Sequence, residues 1–339
     1  MRTIIEVILD SEREVLIKFL NSSSLDYEQD INYSILVYDE EELIGTASLA
    51  NNIMKCFLVN KNHTGENITN LMFSHLVNIL MQRDIYHYFV YTKPENINIF
   101  ESLNMKLITK THLSALLEGG DNINHVLNNL KQEYNIGDCP KSAIIINANP
   151  MTYGHLYLIE EASKKSEELL VFVVSEDLSS FKFEDRFKII KESVKHLENV
   201  LVLPTLNYLV SRVTFPKYFL REDSLIKDEQ TLIDVLVYKQ YYTEIFNITM
   251  RYVGSEPFSK NTNKYNEVMK KYLAKSLTII KRKAIDDIAI SASYVRKLIH
   301  ENKIDEIKAY VPVPTYNYLI SKAGQKVIKE IQSKELSRH

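Results

Sequence analysis

The stretch KSAIIINANPMTYGHLYLIEEAS, Lys141 to Ser163, decides how the rest of the chain is read. Its apolar run, Ala143 to Ile146, stops at polar turn formers and passes directly into a segment with Leu158, Ile159 and Ala162 on one helical face. The expected order is strand, tight turn, helix. Asn147, Asn149, Pro150, Thr152, Gly154 and His155 fall in that turn, beside the backbone N–H groups of a new helix N-terminus. Amide donors, a hydroxyl and an imidazole at a helix start suit a phosphate. Glycine at 154 lets another group approach the backbone closely. Taken alone, the segment reads equally well as an ordinary strand-to-helix turn with a solvated histidine.

Outward from this stretch, short apolar runs alternate with amphipathic segments. The runs are LLVFVV (Leu169 to Val174), VLVLP (Val200 to Pro204), MRYVG (Met250 to Gly254) and LTII (Leu277 to Ile280). Buried strands alternating with helices predict an α/β domain with a doubly wound parallel sheet over residues 141–325. In such sheets ligands collect at the carboxyl ends of the strands. Beyond the last run, IAISASYVRKLI places Ser291 and Ser293 at a helix start and Arg296 one turn in, where hydroxyls and a guanidinium converge on one anion. After the second strand, Lys182 and Arg186 are four apart and share a face toward a triphosphate, unless Glu184 and Asp185 neutralise them in a surface network. Asp177 is a single carboxylate, too little to define a magnesium site. Gly254 and Ser255 follow the fourth strand, at the level of a base or ribose, or simply form a turn.

Residues 1–125 follow another pattern. YSILVY, ELIGTASLA and IMKCFLV read as three strands, LMFSHLVNILMQR as a helix, YHYFVYT as a strand, ENINIFESL as a helix and NMKLIT as a strand, which together make an α+β domain. Polar residues between Thr111 and Lys141, with GGDN and GDCP as breakers around a helical segment, place a linker over residues 126–140. Asn207 to Asp223 mixes Arg212, Lys217 and Arg221 with Tyr208, Phe215, Tyr218 and Phe219 and has no clean period; it is either a surface for a flat or phosphorylated group or a packed loop. Residues 326–339 read as a lysine-rich, solvated helix and tail.

The bulk properties narrow the partners. A chain of 339 residues is long enough for two domains with sizeable cores. A net charge of −3 without a basic block argues against a nucleic-acid binder. The opening residues are too acidic and their apolar run too short for a secretory signal, and no later run approaches membrane length. The two cysteines, Cys56 and Cys139, form no paired ligand spacing, so a reducing cytoplasm and no structural zinc are expected.

TYGH, Thr152 to His155, and ISASYVR, Ile290 to Arg296, resemble the HxGH or TxGH turn and the ISxSxxR segment that hold ATP phosphates in the nucleotidylyltransferase superfamily. This resemblance implies ATP as a substrate, with Mg2+ bridging the triphosphate. It puts Thr152 and His155 at the α- and β-phosphates, and Ser291, Ser293 and Arg296 at the β- and γ-phosphates. Lys182 and Arg186 would be secondary phosphate contacts, with Asn147, Asn149, Pro150, Met151, Gly154 and Gly254 around the nucleotide. His155, Thr152 and Arg296 would carry catalysis. Residues 1–125 resemble a GNAT acetyltransferase module, but in its cofactor turn, NHTGEN, Gly65 is followed by Asn67 where a second glycine is expected. Finally SEDLSSFKFEDR, SRVTFPKYFL, YVGSEPF, NKYNEVM and ISASYVRKL, behind SLDYEQD, IMKCFLV and YTKPENINIF, resemble the citrate (pro-3S)-lyase ligase family from about Leu25 to about Leu319. That likeness implies an AMP-forming acid–thiol ligase. Such an enzyme uses ATP and acetate to acetylate the thiol of the phosphoribosyl-dephospho-CoA arm on the acyl carrier subunit of citrate lyase, through an acetyl-adenylate. The competing readings are a nucleotidylyltransferase acting on a phosphopantetheine-like precursor and a non-catalytic docking factor for a carrier protein.

Overall fold

The computed structural model describes residues 2–177, 179–209, 218–219, 223–255, 260–281, 284–285 and 288–333. The chain divides into two compact units, Met1–Leu130 with Thr214–Val237, and Lys131–Val213 with Tyr238–His339.

In the first unit, β1 (Arg2–Glu6) leads into α1 (Asp10–Ser22), and the antiparallel meander β2 (Tyr33–Asp39), β3 (Glu42–Ala50) and β4 (Ile53–Val59) follows. Then come α2 (Ile68–Gln82), β5 (Tyr88–Thr92), α3 (Ile97–Ser102), β6 (Lys106–Lys110), β7 (Ala115–Gly119) and α4 (Ile123–Glu133). The sheet order is β1-β2-β3-β4-β5-β7-β6. Ile35, Val37, Leu49 and Met54 face Met72, Leu76 and Leu80 of α2 in the core, an alternating strand pattern against a helical stripe. Asn67 takes the left-handed conformation (φ 61°) at the N-terminus of α2, a geometry that asparagine tolerates.

A strand within residues 1–125 was not anticipated, in the stretch after Thr111 read as polar. β7 lies there, between β5 and β6, and its Glu118 disguises it: the buried carboxylate accepts the Ile123 N–H (2.8 Å) and pairs with His87 Nε2 (3.0 Å). β1 and α1 were likewise not anticipated. The parallel ladder between β4 and β5 is confined to Ile53–Phe89 and Met54–Val90. Just beyond it Tyr218 spans the two strands. Its phenol takes the Cys56 backbone N–H and donates to Tyr91 O at 2.6 Å, and Asp26 N–H bonds Tyr218 O at 3.0 Å. Tyr218 and Phe219 are thus packed residues; Arg212, Phe215, Lys217 and Arg221 lie outside the described residues. The same unit includes α7 (Asp223–Val237), whose Glu229 accepts from Ser114 Oγ at 2.9 Å.

The second unit has the predicted doubly wound form. Five parallel strands, β8 (Lys141–Ile146), β9 (Leu169–Val173), β10 (Val200–Pro204), β11 (Ile248–Gly254) and β12 (Leu277–Ile280), lie in the order β10-β9-β8-β11-β12. The winding direction reverses between β8 and β11, which makes their carboxyl ends the expected ligand crevice. α5 (Tyr153–Ser163) and α6 (Phe183–Ser193) cover one face, with Ile144, Ile146, Ile159, Val171 and Ile190 in the core. On the other face Phe172 packs against Tyr242, in a π-helical turn (Tyr238–Tyr242), and against Phe246 after α8 (Thr243–Ile245). α9 (Lys260–Leu273), the two-residue strands β13 (Ala284–Ile285) and β14 (Ile288–Ala289), α10 (Ala292–His300), α11 (Ile304–Ile307), α12 (Val313–Ile320) and α13 (Lys322–Ser333) complete it. α13 is not the solvated element expected. Its Val327, Ile328 and Ile331 are buried with Val295, Leu298 and Ile299 of α10, so the lysine-rich face hides a stripe that seats the ISASYVR helix. Among the described residues no helix is long and apolar enough to cross a membrane.

Candidate active site

The turn after β8 folds as its residues dictate. Thr152 is the N-cap of α5 with extended backbone (φ −126°, ψ 166°), and its Oγ1 accepts the His155 N–H at 3.4 Å. In return His155 Nδ1 accepts the Thr152 N–H at 3.1 Å and lies 2.9 Å from Thr152 Oγ1. The exchange is a capping box with histidine in the place of the usual glutamate. A ring whose Nδ1 accepts in this way carries its proton on Nε2, so α5 presents an oriented N–H donor in its first turn.

The ISASYVR segment meets this turn directly. Ser291 caps α10, accepting the Tyr294 N–H at 3.1 Å. Arg296, one turn in, donates through Nη1 to the Asn149 carbonyl, 147 positions away in sequence, and through Nη2 to Ser293 Oγ at 3.3 Å. Burial pushes the Arg296 guanidinium below its ordinary value, a sign of a cation held in partly dry surroundings. Gly154 is required at the junction: a Cβ there would stand 2.5 Å from the Ile290 carbonyl oxygen. The group that approaches this glycine is therefore the second motif itself.

Together the two segments enclose a cavity of about 410 Å³ at the carboxyl ends of β8 and β11. Asn147, Asn149, Gly154, His155, Gly254 and Arg296 line it, as does Ala292 of α10. The remaining expected contacts are placed elsewhere. Thr152 is fully buried and touches the site through His155, while Pro150 and Met151 are buried behind the turn, with Met151 O accepting from Thr315 Oγ1 at 3.0 Å. Lys182 is exposed and does not line the cavity. Ser293 is exposed beside Arg296.

Arg186 also requires correction as a phosphate contact. It is 1% exposed and its guanidinium donates to the carbonyls of Phe181, Asn147 and Val174, each at 2.9 Å, and of Glu176. An arginine spent on four carbonyls ties the ends of β8 and β9 to the loop before α6. Asp177 accepts the Phe183 N–H at the start of α6, so it too serves the loop. Next to it, burial pushes the Glu176 carboxyl up to about 7 against the opposing pull of Arg186. Among the described residues no group of three His, Cys, Asp or Glu side chains could hold a metal ion.

Among the lining residues not anticipated are Arg251 on β11, and Tyr265 and Asn266 on α9. The signal for Arg251 was available, since an arginine inside the short apolar strand MRYVG is buried at 3% exposure.

The family model for the citrate lyase ligase C-terminal domain matches residues 141–319. The chain is 32% identical over 312 residues to the [citrate [pro-3S]-lyase] ligase of Escherichia coli K12, covering 89% of this chain and 88% of that one. The chain belongs to the citrate lyase ligase family. It is equally similar, 32% over 312 residues, to the ligase of the same name from Haemophilus influenzae, covering 89% of this chain and 93% of that one. Membership in this ligase family makes it an enzyme, and the cavity described above lies within the matched residues. A GNAT-family acetyltransferase of Staphylococcus aureus is structurally similar at a TM-score of 0.30 and 16% identity, over 35% of this chain and 98% of that one.

Proposed function

We propose that this chain uses ATP to join acetate to the thiol of the phosphoribosyl-dephospho-CoA arm carried by the acyl carrier subunit of citrate lyase. A carboxylate oxygen of acetate attacks the α-phosphorus, the bond to the β-phosphate oxygen breaks, and pyrophosphate leaves; the thiol then attacks the acetyl-adenylate and AMP leaves. Phosphoryl chemistry of this kind needs positioning and charge stabilisation and no protein nucleophile. His155 Nε2–H and Arg296 are the donors for the phosphates, with the Ser291 and Ser293 hydroxyls beside them. Thr152 is a positioning residue acting through His155. Asn147, Asn149 and Gly254 border the nucleotide. Residues 1–125 form the acetyltransferase-like domain, and the enzyme works in the cytoplasm, where ATP and the reduced thiol coexist.

The observation that carries the reading is the meeting of Gly154 with Ile290 and of Arg296 with Asn149, which brings both phosphate motifs to one cavity at the sheet's switch point. The test mixes the chain with ATP, acetate and deacetylated citrate lyase and follows AMP and recovered lyase activity. Acetate should also drive ATP–pyrophosphate exchange without the carrier. His155→Ala should lower turnover by about 10²–10³-fold with the fold intact, the usual cost of one lost donor to developing charge. Exchange driven by a phosphopantetheine-like acceptor and not by acetate would overturn the proposal.

A further inference from the structure

We propose that the Asn266 carboxamide reads the adenine of the nucleotide and so selects ATP over triphosphates of keto purines; the proposal rests on the ATP-dependent reading above. Asn266 lines the cavity from α9 and is 4% exposed, and Met269, one turn on, lines it too. Its Nδ2 donates to the Gly254 carbonyl at the end of β11, at 3.4 Å. A carbonyl only accepts, so this contact fixes which end of the carboxamide is nitrogen and turns Oδ1 away from Gly254. Among the described residues no donor reaches Oδ1, and the amide keeps a second N–H beside it. An acceptor on a nearly buried side chain is costly without a donor, and a ligand in the cavity supplies one.

An acceptor and a donor side by side on one planar amide match the edge of adenine that presents the N6 amine next to N7, the bidentate contact by which asparagine recognises this base. A keto purine puts an acceptor where adenine has the amine, so Oδ1 would face another lone pair. The surroundings give a flat ring its place. Val253 and Ile280, near the ends of β11 and β12, and Met269 supply apolar surface to the cavity. A Cβ built on Gly254 meets nothing nearer than Leu158 Cδ2 at 4.0 Å, so the strand end leaves room for the ring. His155 and Arg296 stand on α5 and α10, which puts the triphosphate on that side and the base on the α9 side. No bond of the base changes in the reaction. Asn266 therefore decides which nucleotide is bound, and the phosphate donors act on the chemistry.

The experiment uses the full chain in acetate-driven exchange of pyrophosphate with ATP, inosine triphosphate or 2′-deoxy-ATP. Wild-type protein should favour ATP over inosine triphosphate in kcat/KM by at least about 10-fold. Asn266→Leu should raise KM for ATP by about 10–100-fold, the range for one bidentate base contact, and leave KM for inosine triphosphate within about twofold, so that the preference disappears. The kcat at saturating ATP should hold. Asn266→Ala adds no bulk to α9 and should behave in the same way, which covers the case in which leucine does not fit. Wild-type exchange that is equally efficient with ATP and inosine triphosphate refutes this inference alone, whatever the variants do. A preference for ATP that survives in the folded variants also refutes it, by placing the reading of the base on other groups. So does a wild-type preference for ATP over 2′-deoxy-ATP that is lost in the variants while inosine triphosphate stays disfavoured, because Asn266 then holds the ribose. Wild-type protein without exchange on any of the three nucleotides refutes the ATP-dependent reading, and this inference with it.

Discussion

Replacing Gly154 by alanine tests the junction of the two motifs with a single methyl group. The added Cβ would lie 2.5 Å from Ile290 O and 3.5 Å from both Ile290 C and Thr152 Oγ1, so the one severe contact is with backbone. A backbone carbonyl cannot swing aside as a side-chain tip does. Restoring an ordinary contact of about 3.4 Å requires the segment entering α10 to retreat by about 0.9 Å from α5, and Arg296 moves with it. Overpacking of this sort costs about 1–3 kcal/mol. For a unit of this size the melting temperature should fall by about 2–12 °C. The catalytic consequence is larger, because a misplacement of about 1 Å at a positioned group lowers rate by about 10²-fold. The assay is acetate-dependent ATP–pyrophosphate exchange, run well below the melting temperature of the variant, with thermal unfolding in parallel. Gly154→Ala that retains near wild-type exchange while folded would show that the approach of Ile290 to α5 does not set the geometry of the site.

Other substitutions separate scaffold from chemistry. Arg186→Gln removes most of the charged donors that hold four carbonyls, so stability should drop by at least about 3 kcal/mol; chemical denaturation measures it, and a stable variant with a raised KM for ATP would return Arg186 to the phosphates. Glu176 has a folded pKa of about 7 against an ordinary 4.5, so the folded chain holds the extra proton and its stability declines as pH rises from about 4.5 to about 7, then levels off. Glu176→Gln should flatten that decline and be the more stable form at pH 8, and identical melting profiles at pH 5 and pH 8 for both proteins would contradict it. Tyr218→Phe strips the hydroxyl that joins Cys56 N–H to Tyr91 O, leaving two polar groups without that partner at a cost of about 1–3 kcal/mol; unchanged unfolding by denaturant would mean that water replaces the phenol.

The sequence is most informative where one physical demand acts on each residue. A parallel strand covered on both faces admits little besides Val, Ile, Leu and Phe, so LLVFVV discloses β9, buried at every position. Likewise, the strand-to-helix turn at Thr152 follows from local capping chemistry alone. Legibility fails where a residue's partner is remote in the chain. Glu118 makes β7 look like connector because its compensation, His87 and the Ile123 amide, is supplied by the fold. Arg186 and Arg296 are indistinguishable by composition and helical position, each an arginine in the opening turns of a helix after an acidic or hydroxyl-rich loop. Only the carbonyls gathered around the first and the cavity beside the second separate a staple from a ligand-facing cation. Arg251 is the instructive intermediate: its strand declares it buried, and burial of an arginine demands a reason. Burial inside an apolar strand does not by itself mark a ligand wall, because Lys55, equally buried within IMKCFLV, is answered by Glu28 at 3.0 Å and Asp30 at 2.6 Å, partners no local pattern announces.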